Sequence, residues 1–293
     1  MPSTKLIVVT GANRGIGLGI IQLLAKTQHS PPLTIYATSR SGSDLGVQAA
    51  HSNEIRYRKL DVGNIDSIRS FLQSNIQDRQ TIDALINNAG VNNNGHETPD
   101  LATQTIDVNY RGTKDMCEMF LKEGGMGTTK GSRIVNISST ASQLNNYDSG
   151  IQDKFHAVQS LADVDDLADS YLCTLEQSSA AQNQSGWGAG PRSYQVSKAL
   201  MNALTVVLAE QHADVLINCC CPGWVDSDMG NQIGRPPKTL EEGARIPVRL
   251  AIGDLGSKGN EDGALGQSTE KISGRYFGND GVSDRGWGRE RKW

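Results

Sequence analysis

Short apolar runs alternate with longer amphipathic ones along this chain. LIVVT at 6–10 is a continuous apolar run of strand length, the pattern of a strand buried on both faces. GIGLGIIQLLAKT at 15–27 repeats apolar residues at helical spacing, with Ile16, Ile20, Leu23 and Leu24 on one face. LTIYATS at 33–39 predicts a second strand, and IRYRKLDV at 55–62 a third, more alternating one. IDSIRSFLQSNI at 65–76 predicts a helix with Ile65, Ile68, Phe71, Leu72 and Ile76 turned inward. IDALINNAG at 82–90, SRIVNISS at 132–139 and VLINCCCPG at 215–223 read as strands that run into loops. This β-α-β-α order predicts an α/β fold, a doubly wound parallel sheet with helices on both faces. Right-handed crossovers then gather the strand C-termini along one edge, where such sheets bind ligands.

The rhythm breaks between 140 and 192. There FHAVQSLADVDDLADSYLCTLEQ reads as one acidic helix, and SSAAQNQSGWGAGPR as a polar, glycine-rich connection. The strand pattern resumes afterwards, so the segment is an insertion in a single domain spanning 1–293. Residues 226–250 predict a short lid and a helix over the substrate side, and GRYFGNDGVSDRGW at 274–287 a last strand and tail. Hydrophobic residues make up 37% and charged residues 20%, which allows a sizeable core in a soluble chain. The net charge of −4, with no basic stripe, argues against nucleic acid, and the basic RGWGRERKW cluster reads as a solvated tail. No apolar run approaches the length of a membrane span. Cys117, Cys173, Cys219, Cys220 and Cys221 show no CxxC or His/Cys spacing, so neither a metal site nor a disulfide framework is expected. MPSTKLIVVTGA carries no signal-peptide pattern. A reducing, cytoplasmic setting is the expectation.

Candidate chemistry sits at the strand ends. In TGANRGIG, Gly11, Gly15 and Gly17 follow the first strand and open the first helix. Glycines there leave room for a pyrophosphate to approach the turn and the helix N-terminus, so the segment predicts dinucleotide binding through Gly11, Asn13, Arg14, Gly15, Ile16 and Gly17. The second strand ends in Ser39 and Arg40, with no carboxylate until Asp44. A carboxylate at that end would hold a ribose 2′-hydroxyl and repel a 2′-phosphate. Arg40 and Arg14 therefore predict NADP(H) over NAD(H), the alternative being that either is a solvated surface charge. Asp61 and Val62 are placed to meet an adenine ring. In NNAG, Asn87 and Asn88 can tie adjoining loops, and Ala89 and Gly90 let backbone approach the ribose; a plain Asn/Gly turn is the alternative. Tyr194 and Lys198 in SYQVSK lie one helical turn apart.

TGANRGIG, NNAG, VNYRG, IVNISS, SYQVSK and CCPGW, in this order, resemble the short-chain dehydrogenase/reductase family over about residues 5–280. The long insertion and CCPGWVDSDM are most similar to its monomeric carbonyl reductases. The resemblance implies a Rossmann-type fold and an NADPH-dependent reduction of a small ketone, aldehyde or quinone. It implies Tyr194 as general acid, Lys198 as ribose ligand that lowers the tyrosine pKa, Ser139 as donor to the substrate carbonyl, and Asn109 as holder of a relay water. Ser139 is preferred to Ser138 because the family uses the second of the pair. Pro222, Gly223, Trp224 and Val225 would line the nicotinamide. On general grounds a cation near a phenol favours the phenolate, and a serine hydroxyl adds a second donor at a developing alkoxide.

Ser139 and Tyr194 are 55 residues apart, far more than in much of the family. The extra residues can cover the helix face that relatives use for subunit packing, which predicts a monomer, or can form a mobile loop over the site. Trp224 and Met229 offer apolar surface to a substrate, or simply core packing; Trp187, Trp287 and Trp293 are not placed by the pattern. Cys221 is either a thiol beside the cofactor or a buried strand cysteine. A dedicated biosynthetic ketoreductase and a non-catalytic NADP(H)-binding regulator are the competing functions. The intact tetrad Asn109, Ser139, Tyr194 and Lys198 disfavours the regulator.

Overall fold

A computed structural model describes residues 4–76, 81–256 and 272–293. The first half alternates β1 (Lys5–Val9), α1 (Gly15–Lys26), β2 (Leu33–Ser39), β3 (Glu54–Lys59), α2 (Ile65–Asn75), β4 (Ala84–Asn87), α3 (Pro99–Ile106), α4 (Gly112–Lys122) and β5 (Arg133–Ile137). The second half holds α5 (Ser149–His156), α6 (Leu161–Gln177), α7 (Ser179–Gln184), α8 (Ser193–Gln211), β6 (Leu216–Cys220), α9 (Leu240–Ile252), β7 (Tyr276–Gly278) and β8 (Arg289–Arg291). Among the described residues the strands form one eight-stranded sheet in the order β3-β2-β1-β4-β5-β6-β7-β8. All neighbours run parallel except β7 and β8, which pair antiparallel.

Strands β1, β2, β4, β5 and β6 are buried almost throughout, as expected of strands covered on both faces. One core layer packs α2, α4, α6 and α8 against the sheet, and the other packs α1 and α9. The order reverses between β1 and β4, the switch point that opens a crevice at the strand C-termini.

Four expectations change. Ile65 is 46% exposed, not inward: it is the first helical residue, and its Cβ points back past the helix start, where no earlier turn covers it. The acidic helix expected over 155–177 is two helices. Ser160 and Asp163 form a reciprocal capping box that starts α6 anew, and part of the polar connection forms α7. The third strand stops at Lys59, so Asp61 and Val62 lie just beyond it. The basic C-terminal cluster is solvent-exposed as expected, but it is not a loose tail. It supplies β8, whose Arg289 and Arg291 both reach Asp280, while Trp293 packs edge-on to Phe155 at 6.4 Å.

The insertion joins the main core instead of forming a separate loop. Val164, Leu167, Ala168 and Tyr171 of α6 are buried with Val196, Ala199, Leu200 and Ala203 of α8. Trp187 is fully buried and meets Tyr147, Phe155 and Tyr171 edge-on at 5.4–6.2 Å. Polar ties anchor the outer side: Asp165 accepts from the Tyr110 hydroxyl at 2.8 Å and pairs with Lys114 at 2.7 Å.

Candidate active site

The glycine loop is built by backbone-to-backbone contact. Gly11 has φ of +62°, and a Cβ on it would stand 2.9 Å from the Ala89 Cα. A Cβ on Gly17 would stand 2.2 Å from the Gly11 carbonyl oxygen. The Asn88 side-chain amide donates to the Thr10 and Gly11 carbonyls at 2.9 and 3.1 Å. The Thr10 hydroxyl accepts from the Asn88 and Ala89 N–H groups, both at 3.0 Å. Thr10 is thus a loop-fixing residue absent from the sequence-derived set. Asn87 does something else: its amide reaches Asn136 Oδ1 at 2.9 Å and ties β4 to β5.

This cradle fits a dinucleotide. Its glycines face one another where side chains would collide, and the Arg14 side chain does not cap α1, which leaves the first turn open to an anion. Asn13, Arg14 and Arg40 are exposed, and Ile16 packs on the core below. Arg14 pairs with Asp228 at 3.0 Å, a contact between two exposed groups and therefore weak. Asp61 accepts from the Gly63 N–H at 3.1 Å, beside the buried Val62.

The second half of the site centres on α8. Its first N–H groups are satisfied from a distant segment: Glu97 accepts from Arg192 and Ser193, at 3.0 and 2.8 Å, and Asn94 accepts from Tyr194 at 3.1 Å. That anchors the turn bearing Tyr194. Lys198, one turn on, is buried and donates to the Ile137 carbonyl at the end of β5 at 2.6 Å. Its ammonium lies 5.7 Å from the Tyr194 ring centre. Asn109 sits in a π-helical turn, Asp107–Arg111, that joins α3 to α4. Its amide accepts from the Val91 N–H at 2.8 Å and donates to the Val91 carbonyl and the Ser197 hydroxyl. A Cβ on Gly90 would lie 3.1 Å from Asn109 Oδ1 and 3.8 Å from the Lys198 ammonium, so these three positions converge.

The two serines after β5 sit differently. Ser138 is buried and donates to the Lys198 carbonyl at 3.3 Å, whereas Ser139 is half-buried, accepts from the Ala141 N–H at 3.1 Å and lies beside the Tyr194 phenol. Burial pushes the Tyr194 phenol up to about 12, against the lowering effect of Ser139. Burial brings the Lys198 ammonium down to about 8, opposed by the nearby Cys221. Burial is thus the largest influence on the phenol and holds it protonated at neutral pH, with Ser139 the one group that lowers it.

The wall beyond β6 rests on residues the sequence did not single out. Lys238 is buried and donates to the Pro222 carbonyl at 2.7 Å. Gly223 has φ of +89°, and a Cβ there would lie 2.6 Å from the Val282 carbonyl and 2.7 Å from the Lys238 ammonium. Trp224 donates its backbone N–H to the Val282 carbonyl and its indole N–H to the Gly230 carbonyl, both at 2.9 Å. Val225 is buried, and Met229 is half-buried on the same loop. This loop meets the glycine loop through Ser227 against Gly15 and Asp228 against Arg14. Cys221 is buried and also lies at the site edge, its thiol accepting from the Gly223 N–H at 3.3 Å. Among the described residues no His/Cys/Asp/Glu cluster is arranged to hold a metal.

A protonated phenol, a serine donor and a buried ammonium thus converge beside a dinucleotide cradle. The family model for short chain dehydrogenases matches residues 5–150. Short-chain dehydrogenase/reductase 1 of Saponaria officinalis is 31% identical, over 86% of this chain and 91% of that protein. Carbonyl reductase (NADPH) 3 of Mus musculus is 32% identical, over 85% of this chain and 91% of that one. Salutaridine reductase of Papaver somniferum shares the fold, with a TM-score of 0.70 at 24% identity, covering 93% of this chain and 99% of that chain. With motifs, fold and relatives in agreement, the chain belongs to the short-chain dehydrogenase/reductase family.

Proposed function

We propose that the chain is an NADPH-dependent carbonyl reductase that delivers hydride to a ketone, aldehyde or quinone, with Tyr194 as general acid. The convergence of Tyr194, Ser139, Lys198 and Asn109 at the strand ends, beside the glycine loop, carries this reading. The bound nicotinamide would supply the hydride. Gly11, Gly17 and Gly90 give its backbone-lined bed, and Pro222 to Val225 its wall. Ser139 and Tyr194 would both donate to the substrate oxygen, and the phenol, held protonated, would give its proton as the alkoxide forms. Lys198 would hold the ribose and stabilise the phenolate left behind. Exposed Arg14 and Arg40, with no carboxylate at the end of β2, support the 2′-phosphate form of the cofactor.

The test follows NADPH and NADH consumption over a panel of ketones, aldehydes and quinones. Turnover of several compounds with NADPH preferred is expected, and Arg40→Asp should erode that preference. Turnover of one compound alone would instead favour a dedicated pathway ketoreductase, and cofactor binding without any turnover the regulatory role.

The same reading includes a monomeric enzyme. Helix α6 buries Val164, Leu167 and Tyr171 against α8, covering that helix's outer side. Sedimentation equilibrium should give the mass of one chain across micromolar concentrations; a concentration-independent dimer would sink the idea. Among the described residues no helix is long and apolar enough to cross a membrane. All five cysteines are free, which fits a cytoplasmic setting that a fluorescent fusion would test.

A further inference from the structure

A partly open cleft of about 210 Å³ lies beside the candidate nicotinamide wall. One side of it is Thr140, next to the catalytic Ser139, with Gln143, Cys221 and Gly223. The other side is the arm formed by β7 and β8, through Asp280, Val282, Arg291 and Lys292.

The arm is held in place from both ends. Gln143 donates to the Lys292 carbonyl at 3.2 Å, and Trp293 packs against Phe155 of the insertion and against Cys219, Cys221 and Tyr276. Charge on the arm is unbalanced. The two oxygens of Asp280 are taken by Arg289 and Arg291, and Glu290 pairs with Arg275. Asp284 accepts from the Gly281 N–H within the turn. No carboxylate among the described residues pairs with Lys292, and Arg285 turns away to Glu242. The cavity rim therefore carries surplus positive charge next to the reacting centre.

We infer that the β7–β8 arm is a specificity-determining wall of the substrate site, and that its surplus positive charge selects carbonyl compounds carrying a carboxylate or similar anionic group. The inference rests on the reductase reading and names its substrate class. The reacting carbonyl lies at Ser139 and Tyr194, and the anionic end lies at Lys292 and the free donors of Arg291. An exposed rim cation acts mainly through local attraction, so its effect is modest and falls with salt.

The test compares 4-formylbenzoate with its methyl ester, two aldehydes that differ in one charge, using kcat/KM with NADPH for wild type, Lys292→Met and Lys292→Glu. The ratio of acid to ester cancels any general loss of folded enzyme. Wild type should favour the acid. The ratio should fall about fivefold in Lys292→Met, the scale of one exposed ion pair, and further in Lys292→Glu, mostly through KM. Raising the salt concentration should shrink the wild-type ratio as well. The same ratio in all three proteins would overturn the inference while leaving the reductase reading intact. Turnover of neither aldehyde by wild type would remove the reductase reading for this class, and the inference with it.

Discussion

Tyr194→Phe is expected to lose between about a hundredfold and ten-thousandfold in kcat, the scale of one positioned general acid, with NADPH affinity nearly unchanged. The variant removes one oxygen and keeps the ring, so packing on α8 and the 5.7 Å approach of the Lys198 ammonium survive. What disappears is the proposed proton donor, the phenol beside Ser139. Fluorescence titration with NADPH and steady-state reduction separate the two effects. Equal activity in wild type and variant would remove Tyr194 from the mechanism. The pH profile adds a second handle. A phenol at about 12 keeps its proton throughout the working range, so it imposes no break near neutrality. Lys198, at about 8, holds its charge below that pH and loses it above. The ammonium favours phenolate formation, so kcat/KM for reduction should be flat below about pH 8 and fall above it.

The periodicity located the sheet because buried parallel strands are short, continuous apolar runs, and β2 matches LTIYATS residue for residue. The proposed catalytic set was reached differently: Ser139 sits at a strand end and Tyr194 and Lys198 on consecutive turns of one helix, but Asn109 lies in a π-helical turn between two helices, and it was the resemblance of the surrounding motifs to a family, not spacing alone, that singled out all four. Three kinds of feature were not legible. The capping of α8 by Asn94 and Glu97 spans about a hundred residues of chain, and nothing in SYQVSK announces it. Lys238 and Val282 support Gly223 from two separate loops. Thr10 looked like the last strand residue, yet its hydroxyl gathers two N–H groups from the β4 loop. These are long-range hydrogen bonds, invisible to any pattern with a short period. The break at Ser160 was legible in principle: a serine followed three residues later by an aspartate, before an apolar helical face, is a helix start. The C-terminal strand was hidden because RER has the composition of solvent, and a lone edge strand of three residues pairs through its backbone.

Gly17→Ala should weaken NADPH binding far more than its one added methyl group suggests. The new Cβ would stand 2.2 Å from the Gly11 oxygen and 2.5 Å from the Asn88 amide nitrogen. Neither neighbour can swing aside. The Gly11 oxygen is backbone, and the Asn88 amide is held by the Thr10 and Gly11 carbonyls at 2.9 and 3.1 Å. Relief of the clash must therefore push α1 away from the turn, or open the contact between the β1 and β4 loops. Either movement shifts the N–H groups that would face the pyrophosphate. Overpacking at a rigid contact costs about 1–3 kcal/mol, so the melting temperature should fall while the fold persists. The dissociation constant for NADPH should rise by tenfold or more, because the binding geometry is made of the atoms that move. Gly95→Ala is the control. A Cβ there meets nothing within 4 Å, so both affinity and melting temperature should stay at wild-type values. If Gly17→Ala lowered the melting temperature but left NADPH affinity intact, the glycines would be serving the packing of helix on strand alone, and the cofactor would have to lie elsewhere along the strand ends.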